Sequence, residues 1–398
     1  MILPLLLSTY TVVNALGRGS AATYTALHTR RSGLRQCNLS FADLDTHVGE
    51  VAGLDDVCLP PHLARYDCRN NRLAYLGLQQ DGFEQAVARV LERYGPSRIA
   101  VILGTSTSGS LQTETAYCQR NPITGVLPES FDYRNTHNFF SVADFVRHAL
   151  QLAGPSHVIS TACSSSAKVF AGAHRLLKLG LCDAAVVGGV DSLCGTTLYG
   201  FSSLGLIARE PCRPADVCRN GISIGEAAGF ALLERAESAS VGDGAALLGY
   251  GESSDAYHMS SPHPEGVGAL LAMRRALASA GLEPGDIDYI NLHGTASKAN
   301  DAVEDRAVSR LFGRDTPCSS TKGWTGHTLG AAGITEAVIA AICIHRGLIP
   351  ASLNTTEVDP AFTSRIVLKS REQPVARVLS NSFGFGGNNC SLIFGTIR

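Results

Sequence analysis

Four residues have the types and settings of a nucleophilic site. Cys163 follows the strand-like run Val158–Ala162 and precedes Ser164, Ser165, Ser166 and a helical stretch. A thiol at a helix N-terminus meets unpaired N–H groups and the positive end of the helix dipole, and both favour a nucleophilic thiolate. The plain alternative is a small buried core residue. His293 lies in NLHGT at a strand end, and His327 lies in TGHTLGAAG just before a helix. A lone histidine is more often a structural hydrogen-bonder. Two of them in corresponding glycine-bearing turns, alongside a helix-cap cysteine, favour chemistry. Lys322 stands five residues before His327, so it belongs to the same loop, as a solvated charge, a partner for a carboxylate, or a group that tunes the histidine. A further cluster, NSFGFGGNN (381–389), carries Gly384, Gly386 and Gly387. It lacks the Gly-Lys-Ser/Thr of a phosphate loop. Its N–H groups suit an oxyanion; a tight turn into the last strand reads the residues equally well.

The elements that must position these groups are alternating. Apolar strands are expected at Arg98–Leu103, Asp183–Val190, Gly229–Glu234, Asp288–Leu292 and Cys390–Phe394, with helices at about Ser164–Gly180 and at Ala332–Arg346. Continuous apolar strands between helices imply an α/β sheet covered on both faces. Met1–Leu7 is apolar, contains Pro4, lacks a cationic segment, and runs into β-forming Thr9–Val13. It reads as a buried first strand rather than a signal peptide. A strand-then-GT segment followed by a turn-then-helix segment occurs twice: VILGTSTSG (101–109) with TACSSS (161–166), then INLHGTASK (290–298) with GHTLGAAG (326–333). Two similar lobes follow, 1–240 with the cysteine and 241–398 with the histidines, breaking near Glu237–Gly244.

Composition narrows the class. The chain has 398 residues, 45% hydrophobic and 17% charged, with net charge -2. No basic field holds nucleic acid. The twelve cysteines are scattered, without zinc-ligand spacing, and read as reduced thiols of a cytoplasmic protein. No run of about 18 uninterrupted apolar residues spans a membrane.

Taken together, TACSSS (161–166), GISIGEAAGF (221–230), NLHGTAS (291–297), TKGWTGHTLGAAG (321–333) and NSFGFGGNN (381–389) resemble the elongating β-ketoacyl-acyl-carrier-protein synthases of the thiolase-like superfamily, in order and over nearly the whole chain. The resemblance implies two thiolase-like lobes in five α-β-α-β-α layers. It implies that Cys163 carries the acyl chain, that His293 and His327 act on a malonyl group, and that Lys322 and the buried acid Glu336 complete the site. It implies an oxyanion hole from the N–H groups of Cys163 and Phe385. Phe385 and Phe201 would gate the acyl pocket, and Thr295 and Ser297 would touch a pantetheine arm. No cofactor is implied beyond the phosphopantetheine carried by the acyl carrier protein, although a structural cation near Asn291, Glu336 and Ser380 is. Partners implied are an acyl carrier protein, with Arg65, Arg69 and Arg72 as docking candidates, and a second subunit, as a homodimer or with a cysteine-less homologue.

The chain departs from the family pattern at Asn388-Asn389, where Thr-Asn is common, at Lys168, and at Trp324 beside His327, where a bulky ring could reshape the site. These suggest a specialised lipid or polyene pathway. A degradative thiolase would need a second active cysteine, for which Cys390 is the candidate. A starter-type synthase would carry Asn in place of His327, and a chain-length-factor subunit would lack Cys163.

Overall fold

The computed structural model describes residues 1–236 and 244–397. The expected break at 237–244 and the 240/241 lobe boundary therefore fall, Gly244 apart, outside the described residues. Ten main strands form: β1 (Leu5–Asn14), β2 (Ile99–Gly104), β3 (Ser156–Ile159), β4 (Ala184–Asp191), β5 (Ala227–Arg235), β6 (Ala245–Ser254), β7 (Tyr289–Asn291), β8 (Pro317–Ser319), β9 (Arg377–Gly384) and β10 (Asn388–Thr396). The first five pair in the order β3-β2-β4-β5-β1 and the second five in the order β8-β7-β9-β10-β6. In each half the pairs among the first three positions are parallel and the remaining pairs antiparallel. One topology is thus built twice. The halves join through two β1–β6 pairs, Leu5↔Leu247 and Leu6↔Ala246. Strand β1 begins at Leu5, and Met1 and Leu3 are exposed. The buried strand expected from Met1 therefore starts later, past Pro4, which has no N–H for a ladder.

Side chains alternate along a strand, and this divides the core into layers. On β2, Ile99, Val101 and Leu103 face helices α1 (Arg69–Leu78), α2 (Phe83–Tyr94) and α3 (Phe140–Ala149), packing with Leu73, Val87 and Phe145. Ala100 and Ile102 face inward, toward Phe170 and Val338. In the second sheet, Ile290, Leu379 and Ile393 pack outward against α5 (Val267–Ala280) and α6 (Lys298–Phe312), whereas Tyr289, Val378 and Leu392 turn inward. The two helices between the sheets are α4 (Ser165–Lys178) and α7 (Ala332–Arg346). Helices, sheet, helix pair, sheet and helices make five layers. Every residue of α7 from Ala332 to Ile344 is buried, which explains a sequence apolar on all sides. Leu329–Arg346 is long and apolar enough to cross a membrane by composition, but it lies inside the protein.

Trp324 belongs to this inner core. It is fully buried, and its Nε1–H donates to the Ala351 carbonyl at 3.0 Å. The expected influence of its ring on the substrate site is thereby corrected: a buried indole needs an acceptor for its N–H, and Ala351 supplies it on the core side.

Candidate active site

Three turns project from the ends of β3, β7 and β8 toward one point, and each contains a residue other than glycine with a left-handed backbone: Ala162 (φ 52°), Ala296 (φ 68°) and Leu329 (φ 53°). Such backbones are costly for residues with a Cβ and mark sites held by their surroundings. Asp191, at the end of β4, does much of the holding. Its carboxylate accepts from Ser106 N and Thr107 N of the GTSTSG turn at 2.8 and 2.9 Å, and from Gly330 N of the histidine turn at 2.6 Å. It therefore ties a turn of the first half to one of the second. Glu304 on α6 plays the matching part for NLHGT, accepting from His293 N and Gly294 N, both at 2.7 Å, and from Asn381 Nδ2 at 3.1 Å. Neither acid was singled out from sequence. The available signal was an acid closing the apolar strand of GGVDS and another two helical turns past a site loop.

His327 Nε2 lies 3.0 Å from Cys163 Sγ, and the ligating atoms of Cys163, His293 and His327 lie within 4.8 Å of one another. The imidazoles meet edge to face, with centroids 5.3 Å apart. The Leu329 N–H donates to His327 Nδ1 at 3.2 Å. Nδ1 is thus an acceptor, and in the neutral ring the proton sits on Nε2 and points into the site. Burial lowers both histidines well below the ordinary range, helped by the Lys322 charge, so both rings are neutral at pH 7. Lys322 is buried and its Nζ reaches Glu336 Oε1 at 2.5 Å. Of the three readings for this lysine, the solvated one is excluded. It pairs with a carboxylate and also biases the histidines. Burial pushes the Glu336 carboxyl up to about 7 against the pull of Lys322.

The structure corrects one expectation about Cys163. Burial pushes its thiol up to about 11, and the Lys322 charge and the N–H groups of Phe385 and Cys163 only partly oppose this. Desolvation of the anion thus works against the thiolate that the helix N-terminus favours. Those same N–H groups converge on the sulfur, where a tetrahedral oxyanion would form.

The surrounding cavity holds about 130 Å³ and is lined by Cys163, both histidines, Phe201, Phe385, Thr295 and Ser297. The rings of Phe201 and Phe385 pack at 5.5 Å. Thr295 Oγ1 and Ser297 Oγ are 2.9 Å apart, and Ser297 also caps α6 through Asn300 N. Asn291 lies across from Ser380 in the β7–β9 ladder. Both polar atoms of the Asn291 side chain, and Glu336 Oε2, are buried without a hydrogen-bond partner among the described residues. Two expected residues leave the site. Arg69 is buried, bonded to Glu226 at 2.7 and 3.0 Å and to Asp55 at 2.6 Å, so it serves the interior and not a docking surface. Cys390 is buried within β10, away from the cavity lining, which removes the second cysteine that a thiolase would require.

Two lobes of repeated topology around a Cys-His-His pocket define a thiolase-like fold. The chain matches the family models for the β-ketoacyl synthase N-terminal domain over residues 69–239 and C-terminal domain over 244–356. It is 41% identical over 262 residues to a mitochondrial 3-oxoacyl-[acyl-carrier-protein] synthase of Arabidopsis thaliana, covering 61% of this chain and 57% of that one. It is 40% identical over 265 residues to 3-oxoacyl-[acyl-carrier-protein] synthase 2 of Rhizobium meliloti, covering 62% of each. The chain thus spans about three-fifths of the length of these curated relatives. Among solved structures, a ketosynthase in complex with its chain length factor from Xenorhabdus doucetiae is 37% identical with a TM-score of 0.90, covering 99% of this chain and 98% of that one. The ishigamide ketosynthase/chain length factor is 27% identical with a TM-score of 0.89 over 100% of both chains. The chain belongs to the β-ketoacyl synthase family.

Proposed function

We propose that this chain is a β-ketoacyl-acyl-carrier-protein synthase that condenses a Cys163-bound acyl group with a malonyl thioester. The observation that carries this reading is the pair of neutral imidazoles beside Cys163, with the His327 Nε2 proton aimed into the site. The Cys163 sulfur attacks an acyl thioester, and its proton leaves with the carrier thiol. The N–H groups of Cys163 and Phe385 hold the intermediate oxyanion. A malonyl thioester then enters along Thr295 and Ser297. Loss of CO₂ leaves an enolate, whose oxygen accepts hydrogen bonds from the two imidazoles, and the enolate carbon displaces Cys163 from its thioester. Charged imidazoles would trade protons with the enolate; neutral ones only donate hydrogen bonds. The oxygen-rich set at Asn291, Glu336 and Ser380 fits a hard cation that would brace the Lys322–Glu336 region.

The partner is an acyl carrier protein, whose acidic surface suits Arg65. Arg65 lines a recess with Arg134 and Arg147, while Arg72 is held by Asp67 at 2.5 Å. A second subunit is also proposed. Strand β3 ends its sheet and is half-buried along its length, and Tyr117, Tyr133, Phe139 and Phe140 are exposed. Edge strands flanked by apolar surface are pairing sites. The full-length likeness to a ketosynthase held by a chain length factor favours a cysteine-less homologue as that subunit over a second copy. A specialised acyl chain and a cytoplasmic location complete the proposal; the latter accords with twelve free cysteines.

The test is incubation with a panel of acyl-carrier thioesters followed by intact-mass analysis, with and without a candidate second subunit. An acyl adduct on the wild type and none on Cys163→Ala is expected. No adduct with any chain, with or without that subunit, overturns the reading. Equal loading by ordinary C8–C16 chains overturns the specialised pathway alone.

A further inference from the structure

Two positions that stand out in the sequence, Lys168 and Asn388, meet in space. Lys168 lies in the first turn of α4, five residues past Cys163, and its side chain is only 13% exposed. Its Nζ donates to Asn388 Oδ1 at 3.3 Å and lies 3.9 Å from Glu252 Oε1. Asn388 is the first residue of β10, directly after the Gly384–Gly387 turn that presents the Phe385 N–H. The amide end of the Asn388 side chain sits beneath that turn: its Nδ2 is 3.5 Å from where a Cβ on Gly386 would be. The turn has no slack on its other side. A Cβ on Gly384 would stand 2.8 Å from Thr161 O and 3.2 Å from Ser164 N, in the nucleophile turn. Glu252 completes the arrangement. It faces Cys390 across the β6–β10 ladder and also pairs with Arg175, two helical turns beyond Lys168 on the same face of α4.

The helix that follows the nucleophile and the turn that supplies the second oxyanion donor are therefore tied by a partly buried cation. We propose that Lys168 is a positioning residue for acyl transfer: through Asn388 it fixes the Gly384–Gly387 turn against the Cys163 turn, so that the Phe385 and Cys163 N–H groups converge on one oxygen. This rests on the ketosynthase reading above. Lys168 touches no reacting atom. Its effect falls on the step that uses the oxyanion hole and spares chemistry of the thiol that does not.

The experiment compares two reactions of Cys163 in the full chain: acylation by the carrier thioester that loads the wild type, and alkylation by iodoacetamide, which forms no oxyanion. Lys168→Met leaves Glu252 paired with Arg175, so no carboxylate is stranded. It is expected to slow saturated acylation by about 10- to 100-fold, part of what removal of a whole oxyanion donor costs. KM and the alkylation rate should stay within about twofold. Lys168→Arg should recover most of the lost rate. Asn388→Ala should reproduce the loss, and the double variant should be no slower than the worse single one, because the two side chains act as one link. Should Lys168→Met fail to fold, Asn388→Ala and Lys168→Arg carry the same comparison. Equal slowing of acylation and alkylation, additive losses, or an unchanged acylation rate would each overturn the proposal. A wild type that takes no acyl group, with or without the second subunit, but is alkylated would instead overturn the ketosynthase reading on which it rests.

Discussion

The pocket around Cys163 and the edge formed by β3 with Tyr117–Phe140 differ in how far one chain completes them. In the pocket, the turns are held from within: Asp191 and Glu304 absorb the backbone N–H groups of three turns, and Lys322 meets Glu336. At the edge, four aromatic rings are exposed. The pocket is organised before any substrate arrives, which is what electrostatic catalysis requires. The edge is left open, as the second subunit proposed above requires. Catalytic geometry and assembly are thus separable in this fold, and substitutions should affect one without the other.

The largest effect is expected inside the pocket. Lys322→Met strands the Glu336 carboxylate in a site where both partners are buried, and breaking such a pair by removing one member costs about 3–5 kcal/mol. Urea denaturation should give an unfolding free energy lower by that amount, and subunit mass by ultracentrifugation should not change. The double variant Lys322→Met with Glu336→Met should regain most of the stability yet not the condensation rate, because the histidines lose the charge that biases them. Recovery of both would mean that the pair is structural only.

A smaller effect is expected at the edge. Phe139 stands at the N-terminus of α3 and is 44% exposed, and an aspartate there suits the helix dipole. Phe139→Asp should leave the thermal midpoint of the isolated chain unchanged. It should weaken subunit association by about 2 kcal/mol, the cost of losing an aromatic anchor, or roughly 30-fold. Ultracentrifugation at graded concentration, with the second subunit present, measures it. Unchanged association would place the interface elsewhere.

The same contrast explains what the sequence disclosed. Turns that need glycine or a left-handed residue are local features, and Cys163, His293, His327, Phe385 and Thr295 were legible because each sits in one. The repeat of strands and helices was legible because both sheets are covered, so their strands are apolar throughout. Misreadings arose where the answer depends on what lies across space. Trp324 neighbours His327 in sequence, yet its ring turns toward Ala351. Arg69 looked like surface charge until Glu226, 157 residues away, was placed beside it. The thiol of Cys163 was expected to ionise from its place before a helix, a local cue, whereas burial, which only folding sets, pushes it the other way. Lys168 and Asn388 were each conspicuous alone, but only folding shows that they are one feature.

The smallest effect concerns acid, and two opposing contributions set it. Burial raises Glu304 and Glu336 to about 7, so between their unfolded value near 4.5 and about 7 the native chain binds protons that the unfolded chain does not. Their contribution to stability is full at low pH and is lost as pH rises through that window. His293 and His327 act in the other sense. Their native affinities for protons are lowered well below the ordinary 6.5, so below 6.5 the unfolded chain takes protons that the native chain refuses, and stability is lost as pH falls. In wild-type protein the two trends partly cancel between about pH 5 and 6.5. Replacing His327 with Asn removes half of one side. This variant should lose less stability than the wild type between pH 7 and 5, by about 1–2 kcal/mol in chemical denaturation. Parallel curves would mean that the imidazole is charged in the native protein, and a neutral hydrogen-bond donor on which the proposed decarboxylation step depends would be absent.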